Sequence, residues 1–250
     1  MTVPQEPVPV PALVTGIAAG RAVTAVWVNE LGGVAFQVGS GPDREFVKTA
    51  PPAWARLGAP PARGGLVAEA ERLGWAAGYV RVPRVLGAGD GWLHTAGLPG
   101  RSAVDPHWVA DPRTAARAIG SGLRLMHDAL PVGECPFDWR VPARLGELPP
   151  ARRRGLTHPP TVDRLVVCHG DACAPNTLID DDGRCCGHVD LGDLGVADRW
   201  ADLAVAMLSL SWNYAGAWED ELLDAYGVDA DATRIDYYQR LWQAGDTSSR

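Results

Sequence analysis

The segment Leu165-Val-Val-Cys-His-Gly-Asp-Ala-Cys-Ala-Pro-Asn-Thr-Leu-Ile179 carries the strongest structural signal of this 250-residue chain. Its apolar first four residues predict a buried strand, and its last three predict a second strand after a polar loop. A third short strand is predicted over Gly187–Val189, directly before Asp190. The side chains of Asp171, Asn176 and Asp190 are therefore expected to meet where these strands end.

These three oxygen-bearing side chains are the inventory that phosphoryl transfer requires. One carboxylate can orient an attacking hydroxyl and accept its proton, while an amide and a second carboxylate hold Mg²⁺ against nucleotide phosphates. Hard oxygen ligands suit magnesium better than zinc. The pattern therefore points to a kinase-type reaction with magnesium as the metal.

Residues 20–96 predict a small antiparallel sheet with one helix. The helix is predicted over Leu66–Ala77, where apolar residues recur at helical spacing. The strands are predicted over Val23–Val28, Val34–Val38, Glu45–Thr49, Val82–Leu86 and Trp92–Thr95. Four prolines before residue 12 make residues 1–19 an expected flexible leader, and residues 97–100, Gly-Leu-Pro-Gly, are expected to form a hinge or linker.

Residues 101–250 predict a larger, mainly helical part. Asp111 and Pro112 supply the N-cap and the first helical residue of a helix that runs to about Leu130. Further helices are predicted over Trp200–Trp212, Trp218–Tyr226 and Thr233–Trp242.

Charge is distributed unevenly along the chain. The net charge of −7 argues against a protein that binds nucleic acid through a global basic field. Residues 171–250 carry 16 acidic and 5 basic side chains, which favours a cationic partner. A solvated acidic face is the alternative for part of these charges.

The basic residues are 22 arginines and one lysine, Lys48. Arginine does not replace lysine where a compact point charge must enter a tight site. The lone lysine is therefore either functional or retained by chance.

Composition also bounds the class of protein. No run approaches 18 apolar residues, and the first residues resemble no secretory signal, so no membrane association and a cytoplasmic location are expected. The five cysteines have no paired Cys-x-x-Cys spacing, which favours free thiols over a disulfide framework or a structural zinc site.

The residues quoted above resemble the aminoglycoside phosphotransferases, small-molecule kinases of the protein-kinase-like fold. The match covers the family's His-Gly-Asp-x-x-x-x-Asn loop at residues 169–176 and its Val-Asp-Leu-Gly element at residues 189–192, and it continues through residues 195–204. The streptomycin 3''- and kanamycin-type 3'-phosphotransferases are the most similar branches. The resemblance implies an α+β, two-lobed fold, with a small N-terminal antiparallel sheet plus helix and a larger, mainly helical C-terminal lobe.

The resemblance implies a role for each matching residue. Asp171 would be the catalytic base, with Asn176 and Asp190 as the magnesium ligands. Lys48 would contact the α- and β-phosphates, with Glu69 as its helix partner.

It also implies where the substrates bind. Gly32 and Gly33 would lie in the nucleotide loop for ATP or GTP, although Gly33 and Val34 replace the family's usual serine and glycine. Thr95, Ala96, Gly97 and Leu98 would form the hinge beside the base. Three acids would face a cationic antibiotic, namely Glu219, Asp220 and Glu221.

The implied function is phosphorylation of a 3' or 3'' hydroxyl of an aminoglycoside, which confers antibiotic resistance, by a monomer or weak homodimer. The alternatives are a kinase for a tuberactinomycin-type peptide antibiotic, a macrolide or a metabolite, and a catalytically silent nucleotide-binding protein. A dinuclear metal phosphoesterase built on His169, Asp171, His188 and Asp190 would leave Lys48 unexplained. The C-terminal end matches neither the 3' nor the 3'' branch, and Asp193 stands where relatives often have arginine.

Overall fold

The structure, a computed structural model, describes Pro4 and residues 6–29, 32–50 and 65–245. The chain divides into two compact units, Met1–Gly78 with Val82–Leu98 and Tyr79–Arg81 with Pro99–Arg250. The main boundary between the units therefore falls within the expected linker, between residues 98 and 99.

The first unit is built on a five-stranded antiparallel sheet in the order β1-β2-β3-β5-β4. Its strands are β1 (Val23–Val28), β2 (Val34–Val38), β3 (Glu45–Thr49), β4 (Val85–Gly89) and β5 (Trp92–Ala96). Its helices are α1 (Ala12–Ala18) and α2 (Gly65–Ala76), and α2 lies against β4 and β5. The sheet and α2 were foreseen, with β1, β2 and β3 at their predicted bounds.

Helix α1 differs from the expected flexible leader. Pro11 takes the N-cap position, so the last of the prolines precedes the helix instead of interrupting it. Val14 and Ala18, one turn apart, are buried in the same apolar cluster as Phe36 and Val38 of the sheet. The tertiary contacts of this short apolar face therefore outweigh the composition of the segment.

Strand β4 lies three residues later than predicted. Pro83 cannot donate a ladder hydrogen bond, and the strand instead runs through Gly87 and Gly89. The Trp92 ring crosses both glycines, so closely that a Cβ atom on Gly89 would lie 2.5 Å from the indole Nε1. The absence of side chains at these two glycines leaves room for the ring.

The second unit is mainly helical. Its helices are α3 (Pro106–Val109), α4 (Pro112–Ala129), α5 (Val141–Glu147), α6 (Trp200–Asn213), α7 (Glu219–Tyr226) and α8 (Ala232–Gly245). Its strands are β6 (Arg101–Ser102), β7 (Leu165–Cys168), β8 (Thr177–Ile179), β9 (Cys185–His188) and β10 (Gly195–Asp198). No helix in the described part of the chain is long and apolar enough to cross a bilayer.

Two small antiparallel sheets support the loop between β7 and β8. One pairs β7 with β10, and the other has the order β6-β8-β9. Strands β6 and β10 and helices α3 and α5 were not predicted, because each is too short to show a clear period in the sequence. The third predicted strand, Gly187–Val189, corresponds to β9, which ends at His188.

Helix α4 begins as predicted, with the Asp111 carboxylate accepting a hydrogen bond from the backbone N–H of Thr114 at 3.3 Å. It crosses α7 at very short range. A Cβ atom on Gly120 would lie 2.1 Å from the carbonyl oxygen of Leu222. Glycine at this position therefore sets how closely the two helices approach.

A buried polar cluster joins α4, α6 and α7. His127 Nε2 lies 2.9 Å from Asp202 Oδ2, and His127 Nδ1 lies 2.9 Å from the hydroxyl of Tyr226. Asp202 also accepts hydrogen bonds from the backbone N–H groups of His169 at 2.6 Å and Gly170 at 2.9 Å. Burial alone would raise the pKa of Asp202, but the hydrogen bond and charge of His127 outweigh it and hold that pKa below its ordinary value.

We expect Gly120→Ala to destabilise the protein by about 2 kcal/mol, because the added methyl group overpacks the contact with α7. Urea denaturation would measure the loss. Gly146→Ala is the matched control, since nothing lies within 4 Å of a Cβ atom there and alanine stabilises a helix by about 0.5–1 kcal/mol. Equal stability of the two variants would contradict the close crossing.

We expect Asp202→Asn to cost about 2 kcal/mol at pH 7, because backbone donors and His127 lose a charged acceptor. Because the pKa of Asp202 in the folded state lies below its ordinary value, its ionised carboxylate stabilises the fold at pH values above the ordinary carboxyl range. That contribution is lost as the pH falls through the folded-state pKa. Urea midpoints of the two proteins should therefore converge below about pH 4. A gap that stays constant with pH would contradict this account.

Candidate active site

The loop that follows β7 is held against the segment after β9. Gly170 has a positive φ of 86°, and a Cβ atom there would lie 2.1 Å from the carbonyl oxygen of Asp193. Only glycine meets both conditions without strain. The loop ends in a short 3₁₀ turn, Ala174–Asn176, which leads directly into β8.

Two hydrogen bonds fasten this loop to Val189. The Nε2 atom of His169 lies 2.9 Å from the Val189 carbonyl oxygen, and the Val189 N–H donates to the Asn176 carbonyl oxygen at 3.0 Å. His169 thus braces the loop instead of facing a reactant. Because Val189 precedes Asp190, the same bonds place Asp190 beside the loop.

Both oxygens of the Asp171 carboxylate accept hydrogen bonds. The Asn176 Nδ2 atom donates to Oδ2 at 3.3 Å and to the Asp171 carbonyl oxygen at 2.9 Å. The Cys173 thiol donates to Oδ1 at 3.1 Å. The side chains of Asp171 and Asn176 therefore meet, as the sequence predicts.

The environment of Asp171 makes its carboxylate more basic. Burial, followed by the negative charge of Asp190, raises the pKa of Asp171 to about 6. The Cys173 hydrogen bond and His169 act in the opposite direction, and Asp193 adds to the increase. A carboxylate of this kind is suited to accept a proton near neutral pH.

Asp190 adopts an uncommon backbone conformation, with a positive φ of 63°. For a residue other than glycine this left-handed conformation costs about 1 kcal/mol or more, and such residues cluster at functional sites. The next side chain, Leu191, is fully buried. The buried leucine and the Val189 bonds together fix the direction of the chain on both sides of Asp190.

Asn176 and Asp190 are a donor set that fits a hard divalent cation. The Asn176 side chain donates two hydrogen bonds to Asp171 through Nδ2, and its amide oxygen Oδ1 lies on the other side of the amide group. A carboxylate and an amide oxygen suit Mg²⁺. A divalent cation there would also offset the repulsion between Asp171 and Asp190.

A second group of ligand-type atoms lies nearby in the core. One atom from each of His127, Cys168 and Asp202 falls within 4.8 Å of the others. His127 and Asp202 already bond to each other and to neighbours, and the Cys168 thiol donates to the Asp198 carbonyl oxygen at 3.3 Å. Burial also raises the pKa of the Cys168 thiol well above its ordinary value, so this group is a structural polar cluster.

In the first unit, the lone lysine forms an ion pair with a buried glutamate. Lys48 on β3 places its Nζ atom 2.7 Å from Glu69 Oε1 on α2. Glu69 is 4% exposed. The pairing predicted from the sequence is therefore present and fixes the ammonium group on the sheet.

The predicted nucleotide loop forms a tight turn at its described end. The N–H of Gly33 donates to Asn29 Oδ1 at 2.7 Å, and Gly32 has a positive φ of 84°. Residues 30 and 31 of this loop lie outside the described part of the chain. Gly32 and Gly33 thus belong to one turn that joins β1 to β2.

Arg44 organises the predicted hinge, a role that the sequence did not indicate. Its carbonyl oxygen accepts a hydrogen bond from the Gly97 N–H at 2.8 Å, and its guanidinium donates to the Leu98 carbonyl oxygen. Thr95 and Ala96 form the end of β5, and the Ala96 N–H donates to the Arg84 carbonyl oxygen at 2.9 Å. Residues 95–98 are therefore ordered by contacts within the first unit.

The predicted acceptor acids lie on α7. Glu221 pairs with Arg113 at 3.0 Å and with Arg117 at 3.3 Å, so α4 neutralises part of its charge. Tyr226, whose hydroxyl meets the cluster that holds the loop, is at the opposite end of α7. Among the described residues, none of the three acids, Glu219, Asp220 and Glu221, forms a hydrogen bond or ion pair with the loop.

Sequence reasoning missed two side chains that hold this loop, Cys173 and Ser209. The Ser209 hydroxyl oxygen on α6 accepts a hydrogen bond from the Ala174 N–H at 2.9 Å. Ser209 is fully buried within the otherwise apolar run 203–210 of α6. That single buried polar residue in an apolar run was the available signal.

The chain is similar in sequence to known phosphotransferases. The family model described as the phosphotransferase enzyme family matches residues 142–241. An aminoglycoside 3'-phosphotransferase from Streptomyces ribosidificus is 36% identical over 69% of this chain and 78% of its own length. A streptomycin 3''-kinase from Streptomyces griseus is 33% identical over 71% of this chain and 79% of its own length.

A crystal structure of an aminoglycoside 3'-phosphotransferase of type VIII superposes with a TM-score of 0.71 at 30% identity. The match covers 91% of this chain and 94% of that chain. The predicted α+β, protein-kinase-like fold is thereby confirmed. The chain belongs to the aminoglycoside phosphotransferase family.

Proposed function

We propose that this chain transfers the γ-phosphoryl group of ATP to a 3' or 3'' hydroxyl of an aminoglycoside antibiotic and so confers resistance. The main support is the Asp171 carboxylate, whose two oxygens accept hydrogen bonds from Cys173 and Asn176. Burial, followed by the charge of Asp190, raises the pKa of this carboxylate. The names of the two Streptomyces relatives support the aminoglycoside as acceptor and leave the 3' and 3'' positions as the two choices.

In the proposed reaction, Asp171 positions the acceptor hydroxyl and accepts its proton. A new bond forms between the hydroxyl oxygen and the γ-phosphorus, while the bond from that phosphorus to the leaving oxygen of ADP breaks. The carboxylate then carries the proton that the hydroxyl has lost. The two hydrogen bonds to its oxygens hold the carboxylate in one orientation during this transfer.

Asn176 and Asp190 would hold Mg²⁺ through an amide oxygen and a carboxylate oxygen. The ion, when bound, neutralises charge on the phosphates. Asp190 suits this role because its left-handed backbone is fixed on both sides, so its carboxylate does not have to be ordered by the ligand. The negative charge of Asp193 also favours a cation at this site.

Lys48 would contact the nucleotide phosphates, as a compact charge that Glu69 holds in place. Gly32 and Gly33 would let the backbone approach the phosphates closely. Because the Gly97 N–H and the Leu98 carbonyl are already bonded to Arg44, base recognition would fall to the other backbone groups of residues 95–98. The nucleotide would be ATP or GTP.

The acceptor would be a small cationic antibiotic, with no nucleic acid or membrane as partner. Glu219 and Asp220 remain candidate acceptor contacts, whereas Glu221 is partly neutralised by arginines. The enzyme would act in the cytoplasm, where the nucleotide is available, as a monomer or weak homodimer.

The direct test is ATP turnover with streptomycin, kanamycin, neomycin and capreomycin, at fixed free Mg²⁺. We expect turnover with at least one of the first three, and a product that carries one phosphate on a 3' or 3'' oxygen, as located by mass spectrometry and NMR. Phosphorylation of capreomycin alone, or of none of the four, would exclude the proposed acceptor class.

We expect Asp171→Asn to lower kcat by at least about 10²-fold while nucleotide affinity stays nearly unchanged, because the amide cannot accept the hydroxyl proton. Steady-state rates and calorimetric titration with a non-hydrolysable ATP analogue separate the two effects. Asp181→Asn is the matched control, since that side chain is 88% exposed. A rate near that of wild type for Asp171→Asn would remove the base assignment.

A further inference from the structure

The Cys173 thiol is the one side chain in the described part of the chain that donates to Oδ1 of Asp171. Cys173 is buried, with 6% of its surface exposed. A carboxylate rotates about its last torsion with only a broad, two-fold preference. Without the thiol, the Asp171 carboxylate would keep only the longer 3.3 Å contact from Asn176 to Oδ2.

The position of Cys173 is itself fixed by α6. The next residue, Ala174, donates its N–H to the Ser209 hydroxyl oxygen at 2.9 Å. Asn213, one turn along the helix, donates to the same oxygen at 3.2 Å and to the Ser209 carbonyl oxygen at 2.8 Å. A rigid helix therefore holds the backbone from which the thiol reaches Asp171.

A thiol is an unusual choice for this task, with a physical advantage. A lysine or arginine would also orient the carboxylate, but its positive charge would stabilise the ionised form strongly and weaken the base. The S–H group is a weak, neutral donor. It can therefore fix the direction of the carboxylate and remove little of its basicity.

We propose that Cys173 is a positioning residue for phosphoryl transfer, whose thiol holds Oδ1 of Asp171 and thereby presents Oδ2 to the acceptor hydroxyl. This inference rests on the proposed role of Asp171 as the base. It assigns to Cys173 no contact with either substrate. Its loss should therefore act on kcat and leave both KM values nearly unchanged.

The first test compares Cys173→Ala and Cys173→Ser with Cys168→Ala, a matched control that loses a buried thiol whose hydrogen bond goes to the Asp198 carbonyl oxygen instead of to Asp171. We expect Cys173→Ala to lower kcat about tenfold, in line with the loss of one hydrogen bond to a charged group. Cys173→Ser should keep most of the wild-type kcat, because the serine hydroxyl can donate in place of the thiol. Thermal unfolding of all three variants shows whether any change reflects stability.

The inference is overturned if Cys173→Ala has the same kcat as Cys168→Ala, or if Cys173→Ser restores nothing while folding normally. It is equally overturned if the loss appears in KM instead of kcat. A merely structural role for the thiol would lower the stability and the fraction of active enzyme, and rates corrected for active protein would then be unchanged.

The second test does not depend on turnover. Infrared difference spectra between wild type and Cys173→Ala isolate the S–H stretching band of Cys173. We expect Asp171→Ala to shift this band to higher frequency, because the thiol loses its carboxylate acceptor. A band that does not move would overturn the inference while leaving antibiotic phosphorylation intact. A band that moves in a protein that phosphorylates none of the four antibiotics would instead overturn the proposed function, and the positioning role with it.

Discussion

The second unit depends on two hydrogen bonds that the buried Asp202 carboxylate accepts from backbone N–H groups. The amides belong to His169 and Gly170, directly before Asp171. A buried carboxylate without donors is costly, and so are buried amides without acceptors, so each partner requires the other. His127 completes the arrangement and connects it to Tyr226. Side chains from three helices thus set the path of the chain from the end of β7 to Asp171.

The rest of the site is built by fastening two neighbouring segments to each other. The loop donates to and accepts from Val189, and Ser209 holds Ala174 from α6. Each of these contacts has a backbone group as donor or acceptor, so together they fix the path of the chain. The side chains of Asp171 and Asn176 can then meet without being ordered by a ligand, which lowers the cost of binding and of the reaction itself.

The sequence was informative where periodicity or spacing reflects a strong local constraint. The strands at Val23–Val28 and Glu45–Thr49 and the loop with Asp171 and Asn176 were predictable for this reason. Helix α1 and strand β4 were not, because burial against a sheet outweighs proline- and glycine-rich composition. Cys173 was missed because a thiol carries no pattern of its own. Its role depends on a contact that only the folded loop creates.

Close backbone packing at two glycines holds the segments beside Asp171 in place. Gly170 meets the carbonyl oxygen of Asp193, and Gly195 meets the backbone of Asp138 and Trp139, each at a distance that leaves no room for a Cβ atom. The close backbone packing keeps the loop in place, and burial, followed by the negative charge of Asp190, raises the pKa of Asp171. The same packing therefore supports both the proposed base and the proposed cation site, and we expect a side chain at residue 170 to disturb the two together.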